Sequence, residues 1–307
     1  MIKKRHNFAL LIKNYIKMKK VFLALLATTV FVACSKSDDN GGSEEGVSAK
    51  HPKKIISTSP YLRVERIFEL YDDARPKKES YTHYQADTVS YSSVTEYEYD
   101  GKRPVKGRYG DTEVSFFYNN GKLERKVSKS KYNSTPSTTE YQYDGNGRVI
   151  KKLTRYRQDN YEEVNYQYSE GNKIIASTER FVENKKIYSS RTYTLDANGN
   201  VVKQEYKDYR DYDIVITYEY DNKINPLFSP TVRDLYPDYF TMGVGKNNII
   251  KQTEIGTNPK EPNKVSKVTF RTVYEYNGDY PVRNTYYSVP NEENKPEEKL
   301  SVTEYIY

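Results

Sequence analysis

Residues 139–152 read TEYQYDGNGRVIKK, and versions of this phrase recur along the chain. Related phrases begin at Thr95 (TEYEYDGKRPVKG), Val164 (VNYQYSEGNKIIA) and Arg191 (RTYTLDANGNVVK). In each, an alternating tyrosine-rich stretch runs into a turn with Asn-Gly, Asp-Gly or Glu-Gly, residues that tolerate positive φ, and then into a stretch with β-branched residues. Each phrase therefore predicts a β-hairpin.

The hairpin phrases recur every 25 residues or so from about Ile55 onward, a spacing typical of repeat architectures. Two short turns per repeat leave about ten residues, or roughly 30 Å, for each strand. A series of about 14 to 16 such strands rarely stays open and flat. The sequence predicts an all-β fold, an antiparallel meander of repeated hairpins that forms a large curled or barrel-like sheet.

Alternation within each strand predicts which residues share a face, because residues two apart point to the same side. One face carries Glu96, Glu98, Glu140 and similar polar residues, and the other is aromatic. We expect the aromatic face to be the inner one, where tyrosine rings stack or bind a ligand. The candidate residues are Tyr97, Tyr99, Tyr118, Tyr141, Tyr143, Tyr166, Tyr168, Tyr218, Tyr220, Tyr274 and Tyr276.

Residues 1–33 have the organisation of an export signal, with the true start expected at Met18. A charged start is followed by an apolar run of about 12 residues, too short for a transmembrane helix. Cys34, the only cysteine, follows that run and is the predicted lipidation site. Residues 34–54 are small, polar and acidic, which predicts a disordered tether.

The basic charge of the chain lies in the export signal. The net charge is +7, but residues 1–33 hold seven Lys and Arg and no acid, which leaves 42 basic against 42 acidic residues elsewhere. The body is therefore formally neutral, and no nucleic-acid partner is expected.

One stretch, residues 222–251, breaks the hairpin series. It is rich in proline and in apolar residues such as Leu227, Leu235 and Phe240. An insertion of this kind is either a cap or plug over an open end or a ligand-facing loop. Its apolar residues are of the kind found in buried cores, which favours the cap or plug over the ligand-facing loop.

These features resemble two groups of proteins. The YxYD phrases are similar to YD (RHS-type) repeats, in which hairpins wind into a shell, although Leu195 replaces the second tyrosine of its unit. The lipobox-like stretch before Cys34 and the acidic Ser37, Asp38 and Asp39 resemble Bacteroidetes-type surface lipoproteins, and the whole resembles uncharacterised lipoprotein families with a porin-like fold. The resemblance implies a fold and an export route but no activity.

A membrane-spanning barrel is disfavoured by charge. Lys151 and Arg155 lie on one face of a predicted strand and Lys152 on the other, so either orientation places a cation in lipid at a cost of about 2 to 4 kcal/mol near the midplane.

The sequence has few of the residues that catalytic and metal-binding sites commonly use. Only His51 and His83 follow the export signal, and HExxH and GxSxG motifs are absent from the sequence. No cofactor and no metal site are expected. Paired carboxylates for glycoside hydrolysis are not marked among the 42 acidic residues.

We therefore expect a cell-surface lipoprotein of the outer membrane, or of its periplasmic face, held by an acyl anchor on Cys34. Its predicted function is a non-catalytic scaffold or a module that binds a glycan or protein ligand. The alternative is an extracellular polymer-degrading enzyme that uses carboxylates in the cavity of the sheet. A small RHS-like shell that encloses cargo is the least favoured hypothesis.

Overall fold

The computed structural model describes residues 50–157, 160–208, 211–228, 234–243, 245–292 and 294–307. The strands are β1 (Lys54–Ser59), β2 (Leu62–Leu70), β3 (Pro76–Gln85), β4 (Thr88–Asp100), β5 (Arg103–Tyr109), β6 (Thr112–Asn119), β7 (Lys122–Ser130), β8 (Asn133–Tyr143), β9 (Val149–Arg157), β10 (Asn160–Ser169), β11 (Lys173–Val182), β12 (Lys185–Leu195), β13 (Val201–Lys207), β14 (Asp213–Ile224), β15 (Asn247–Asn258), β16 (Glu261–Asn277), β17 (Tyr280–Val289) and β18 (Glu298–Ile306). A single-turn 3₁₀ helix spans Tyr239–Met242. Within these residues no helix is long and apolar enough to cross a membrane.

The strands form one closed antiparallel ring. Each pairs with the next along the chain, and β1 pairs with both β2 and β18. The closing ladder matches Lys54 with Ile306 and Thr58 with Val302, and the Ser57 and Thr303 hydroxyls lie 2.9 Å apart across it. The predicted all-β antiparallel meander is confirmed, and the sheet closes into a barrel of 18 strands.

The barrel has more strands than the 14 to 16 expected. Short strands such as β1, with six residues, are balanced by long ones such as β16, with 17, so strand length does not account for the higher number. The connections account for it: only two residues separate β1 from β2, β3 from β4 and β4 from β5, so most of the sequence between Lys54 and Ile306 is strand.

The aspartate of the repeated phrase builds the turn between strands. Asp144 Oδ1 accepts hydrogen bonds from the backbone N–H groups of Asn146, at 3.0 Å, and Arg148, at 2.9 Å. Gly147 has a φ of 80°, which a residue with a side chain rarely adopts. Asp196 accepts the same two backbone hydrogen bonds in the turn between β12 and β13. The Asp and Gly of the phrase are therefore turn residues.

The up-and-down order assigns every turn to one of two ends. Turns that follow even-numbered strands lie at one end, together with residues 225–228, 234–243 and 245–246, which belong to the connection between β14 and β15. We call these described residues the connecting segment and this end the segment end. Turns that follow odd-numbered strands lie at the opposite end.

Candidate functional site

The connecting segment contacts strands on two opposite sides of the ring. Leu227 packs against a buried cluster formed by residues of β1, β2 and β18, namely Ile55, Phe68 and Tyr305. The ring of Phe240 contacts Tyr166 on β10 at 5.6 Å and Tyr193 on β12 at 5.4 Å between centroids. Because β1 and β10 are nine strands apart in a ring of 18, the described parts of the segment contact opposite walls of the barrel. These contacts favour the predicted cap or plug over a free ligand-facing loop.

A buried aspartate anchors the connecting segment. The Asp238 side chain is 2% exposed, and its Oδ2 lies 2.8 Å from Lys152 Nζ on β9. The Tyr166 hydroxyl donates a second hydrogen bond to the same oxygen, at 2.9 Å. Burial alone would raise the pKa of Asp238, but the Lys152 ammonium and these hydrogen bonds hold that pKa below its usual value. Asp238 is therefore a carboxylate that ties the segment to two strands.

A second lysine, Lys126 on β7, lies beside the same carboxylate without an ion-pair partner among the described residues. Its Nζ lies 3.9 Å from the ring centre of Tyr236 and 5.5 Å from that of Tyr141. Removal from water lowers the pKa of Lys126 to about 7, a shift that Asp238 opposes and Lys152 reinforces. The Asp238 carboxylate thus lies near two lysines, and of these Lys152 forms the ion pair with it.

A second buried ion pair lies on β2 and β3. Arg66 Nε and Glu79 Oε1 are 2.6 Å apart, with both side chains buried. The guanidinium also lies over the ring of Phe68 at 5.2 Å. Glu79, like Asp238, therefore faces a cation.

The buried His51 belongs to the same region. Its ring packs edge-on against Phe68 with centroids 4.6 Å apart, and its Nδ1 lies 2.7 Å from the carbonyl oxygen of Pro52. Its Nε2 is buried, and no described residue forms a hydrogen bond with it. Burial lowers the pKa of His51 to about 4, so the ring is neutral at pH 7. Among the described residues, no group of three or more His, Cys, Asp or Glu side chains is arranged to hold a metal ion.

The tyrosines of the predicted aromatic face fall into two sets. The first tyrosine is buried in the units of Tyr97, Tyr141, Tyr166 and Tyr193, at 4%, 5%, 5% and 3% exposure. Tyr218 and Tyr274, the equivalent residues of later units, remain partly exposed. A continuous tyrosine-rich inner face therefore stays a prediction.

Where a unit has a second tyrosine, that tyrosine is partly buried and its hydroxyl donates a hydrogen bond within the protein. The hydroxyls donate to backbone carbonyls at the start of the preceding strand over 2.7 to 2.9 Å: Tyr99 to Pro76, Tyr118 to Pro104, Tyr143 to Leu123, Tyr168 to Val149 and Tyr220 to Val201. Tyr276 departs from this set, because its hydroxyl donates to Asp221. We call the five hydrogen bonds to carbonyls the tyrosine latches; each is worth about 1 kcal/mol.

A register shift in the sheet precedes four of the five latch tyrosines, and the exception is Tyr168. It falls between Glu98 and Tyr99, Phe117 and Tyr118, Gln142 and Tyr143, and Glu219 and Tyr220. An extra residue of this kind bends the strand and re-aims the side chain that follows. The tyrosine pairs that begin at Tyr97, Tyr141 and Tyr166 each consist of one buried ring and one latch.

Among the described residues, the four most exposed tyrosines all lie at the opposite end of the barrel, and none of them belongs to the predicted aromatic face. Tyr61 and Tyr132 occupy turns, with exposures of 79% and 81%, and Tyr91 and Tyr188 lie near the starts of β4 and β12, with 57% and 67%. We call these four residues the rim tyrosines. Their position after odd-numbered strands, outside the YxYD phrase, is the signal that distinguishes them.

The predicted anchor residues lie outside the described residues. Cys34 and the acidic Ser37, Asp38 and Asp39 belong to residues 1–49, and their roles in lipidation and export stay predictions.

The comparisons with known proteins yield structural similarities only. No protein-family model matches the chain, and no curated protein matches it. A porin-like protein from Bacteroides uniformis superposes with a TM-score of 0.44 at 11% identity, over 83% of this chain and 95% of that one. A porin-like protein from Bacteroides vulgatus gives 0.43 at 12% identity, over 84% and 98%. The TcdB2-TccC3 structure gives 0.24 at 11% identity, over 77% of this chain and 18% of that one. None of these similarities assigns the chain to a family.

Proposed function

We propose that this protein is a non-catalytic, membrane-anchored binding module of the cell surface, in which the barrel is a rigid scaffold and the rim tyrosines bind an extracellular glycan. Cys34 carries the acyl anchor, and the acidic residues that follow it direct the protein to the outer surface. The observation that carries the proposal is that the rim tyrosines, the most exposed of the described tyrosines, lie together at the end opposite the connecting segment.

The buried carboxylates already have cationic partners, which supports a non-catalytic role. Asp238 and Glu79 each contact a cation within 3 Å, and the pKa of Asp238 is lowered. A general acid for glycoside hydrolysis needs a raised pKa instead. These two carboxylates therefore have a structural role. Among the described residues, no carboxyl group with a raised pKa is identified that could act as the general acid of a polymer-degrading enzyme.

The outer wall of the barrel suits water. Cross-strand ion pairs join Lys106 to Glu113 at 2.8 Å and Lys151 to Glu163 at 2.9 Å, with all four side chains partly exposed. Lipid contact would require each of these charges to be desolvated. We therefore place the barrel outside the bilayer, with the anchor as its membrane attachment.

Stacking on sugars is the chemistry that the rim tyrosines offer. A phenol ring presents a large apolar face and a hydroxyl that remains wet, which suits a sugar ring with one apolar face and polar edges. Tyr132 is held by a hydrogen bond from its hydroxyl to Asp111 Oδ2 at 3.0 Å, and the ring of Tyr91 contacts that of Tyr81. These contacts restrict the rings while leaving them exposed.

Affinity electrophoresis through gels that contain soluble polysaccharides tests this function. We expect at least one polysaccharide to retard the native protein, and we expect the double variant Tyr132→Ala, Tyr188→Ala to lose that retardation. Tyr71→Ala is the matched control, because Tyr71 is 38% exposed at the segment end. Absence of retardation on every polysaccharide, or equal loss in the Tyr71 variant, would refute glycan binding at the rim.

A further inference from the structure

A cavity of about 380 Å³ opens at the segment end, between the connecting segment and the ends of the neighbouring strands. Its walls include the apolar side chains of Ile174 and Leu195, the rings of Tyr143 and Tyr168, and Phe240 of the connecting segment. The cavity is large enough for a small organic molecule. It lies at the other end of the barrel from the rim tyrosines.

The cavity lies beside a unit in which Leu195 stands at the position of the latch tyrosine. Leu195 lies two residues after the buried Tyr193 and directly after a register shift between Thr194 and Leu195. Latch tyrosines such as Tyr143 follow the same kind of shift in their own units. Leu195 is therefore the structural equivalent of a latch tyrosine, and its smaller side chain leaves space that a phenol ring would occupy.

The walls of the cavity offer ring faces and aliphatic groups. The hydroxyls of Tyr143 and Tyr168 already donate to the carbonyls of Leu123 and Val149, so these two tyrosines present their rings to the cavity. Such walls favour a flat apolar body over a polyhydroxylated one.

Lys122 supplies a cation at the same cavity. Its Nζ lies 5.5 Å from the ring centre of Tyr143, and within the described part of the chain it has no carboxylate at ion-pair distance. A Cβ on Gly147 would lie 2.6 Å from that nitrogen, so the glycine makes room for the ammonium. By contrast, the other basic residue of the cavity, Arg148, is already paired with Asp144 at 2.7 Å. Lys122 is thus the cation that a ligand would meet.

We propose that this cavity binds a small organic monoanion with a flat apolar body, such as an aromatic carboxylate, with its carboxylate on Lys122 and its ring against Leu195 and the tyrosines. Asp234 also lines the cavity, and its charge disfavours a ligand with a second anionic group.

Fluorine NMR of 4-fluorobenzoate with the full chain tests the site. We expect the native protein to broaden the fluorine signal at probe concentrations up to about 10 mM, the range of a weak small-ligand complex. The neutral 4-fluorobenzamide and the dianion 4-fluorophthalate should bind at least about tenfold more weakly, because a tenfold loss corresponds to only about 1.4 kcal/mol.

Leu195→Tyr fills the cavity with the residue that other units carry there, and we expect it to abolish binding of 4-fluorobenzoate. Ile187→Tyr is the matched control, since Ile187 is 56% exposed near the opposite end and a phenol there leaves the cavity unchanged. Lys122→Gln should weaken binding about tenfold, and it tests the site independently of whether the Leu195 variant folds.

Three outcomes overturn the proposal: no broadening by the native protein, equal binding by a folded Leu195→Tyr variant, or equal affinity for the benzamide and the benzoate. Broadening that survives in the Ile187 variant, is lost in Leu195→Tyr and is weakened about tenfold in Lys122→Gln supports it.

Discussion

Lys126→Met tests the physical account of the barrel interior. In the native protein, burial lowers the pKa of Lys126 from 10.5 to about 7. A difference of about 3.5 pKa units corresponds to a cost of at most about 5 kcal/mol for folding with this lysine charged. The side chain is partly exposed, and its cation–π contacts with Tyr236 and Tyr141 offset about 1 to 2 kcal/mol of that cost. Methionine of similar length should therefore stabilise the protein by about 2 to 3 kcal/mol below pH 7.

The gain depends on pH with a definite sign. Between about pH 7 and 10.5 the unfolded chain binds more protons at this residue than the folded protein, so native stability rises with pH in that window. The penalty is complete below the folded pKa and vanishes above the unfolded one. The advantage of Lys126→Met should consequently shrink as the pH rises from about 7 toward 10.5.

Urea unfolding at about pH 6 and about pH 10, followed by circular dichroism, measures the difference. Lys151→Met is the matched control, because Lys151 lies on the outer wall with Glu163 and an exposed ion pair is worth at most about 1 kcal/mol. A Lys126 variant no more stable than the native protein at low pH, or a gain independent of pH, would show that this lysine is not a desolvated cation.

Three further predictions concern a histidine, the tyrosine pair and the anchor. Burial lowers the pKa of His51 to about 4, so between pH 6.5 and pH 4 only the unfolded state is readily protonated at this residue. The free energy of unfolding should therefore fall by up to about 3 kcal/mol as the pH falls through that range. His51→Gln should remove this part of the pH dependence in urea melts. Tyr141→Ala should destabilise by about 3 to 5 kcal/mol and Tyr132→Ala by less than about 0.5, since the rings are 5% and 81% exposed; equal effects in thermal melts would contradict the assignment of a buried ring. Cys34→Ala should abolish acyl labelling and release the protein from membranes, and unchanged membrane retention would rule out lipidation.

The sequence alone determined the local structure. Hairpins follow from alternation and from turns whose residues lie within five positions of each other, as Asp144 and Arg148 do. Such signals are local, because the side chain that ends a strand and the backbone that it caps are neighbours in sequence. The strand class, the antiparallel order and the exclusion of obvious catalytic motifs were therefore predictable.

The tertiary structure decided that the sheet closes into a ring and that the two tyrosines of a pair have different roles. Ser57 and Thr303 meet across the closing ladder, and Lys152 meets Asp238, although no local pattern marks either pair. The repeated phrase does not distinguish the two tyrosines of a pair, whereas in the folded sheet the ring of Tyr141 is buried and the hydroxyl of Tyr143 donates to a carbonyl of the preceding strand. Likewise, the cavity beside Leu195 exists because strands far apart in sequence and the connecting segment meet there. Pairings over such separations depend on the whole ring of strands, which a repeated phrase of about 25 residues does not encode.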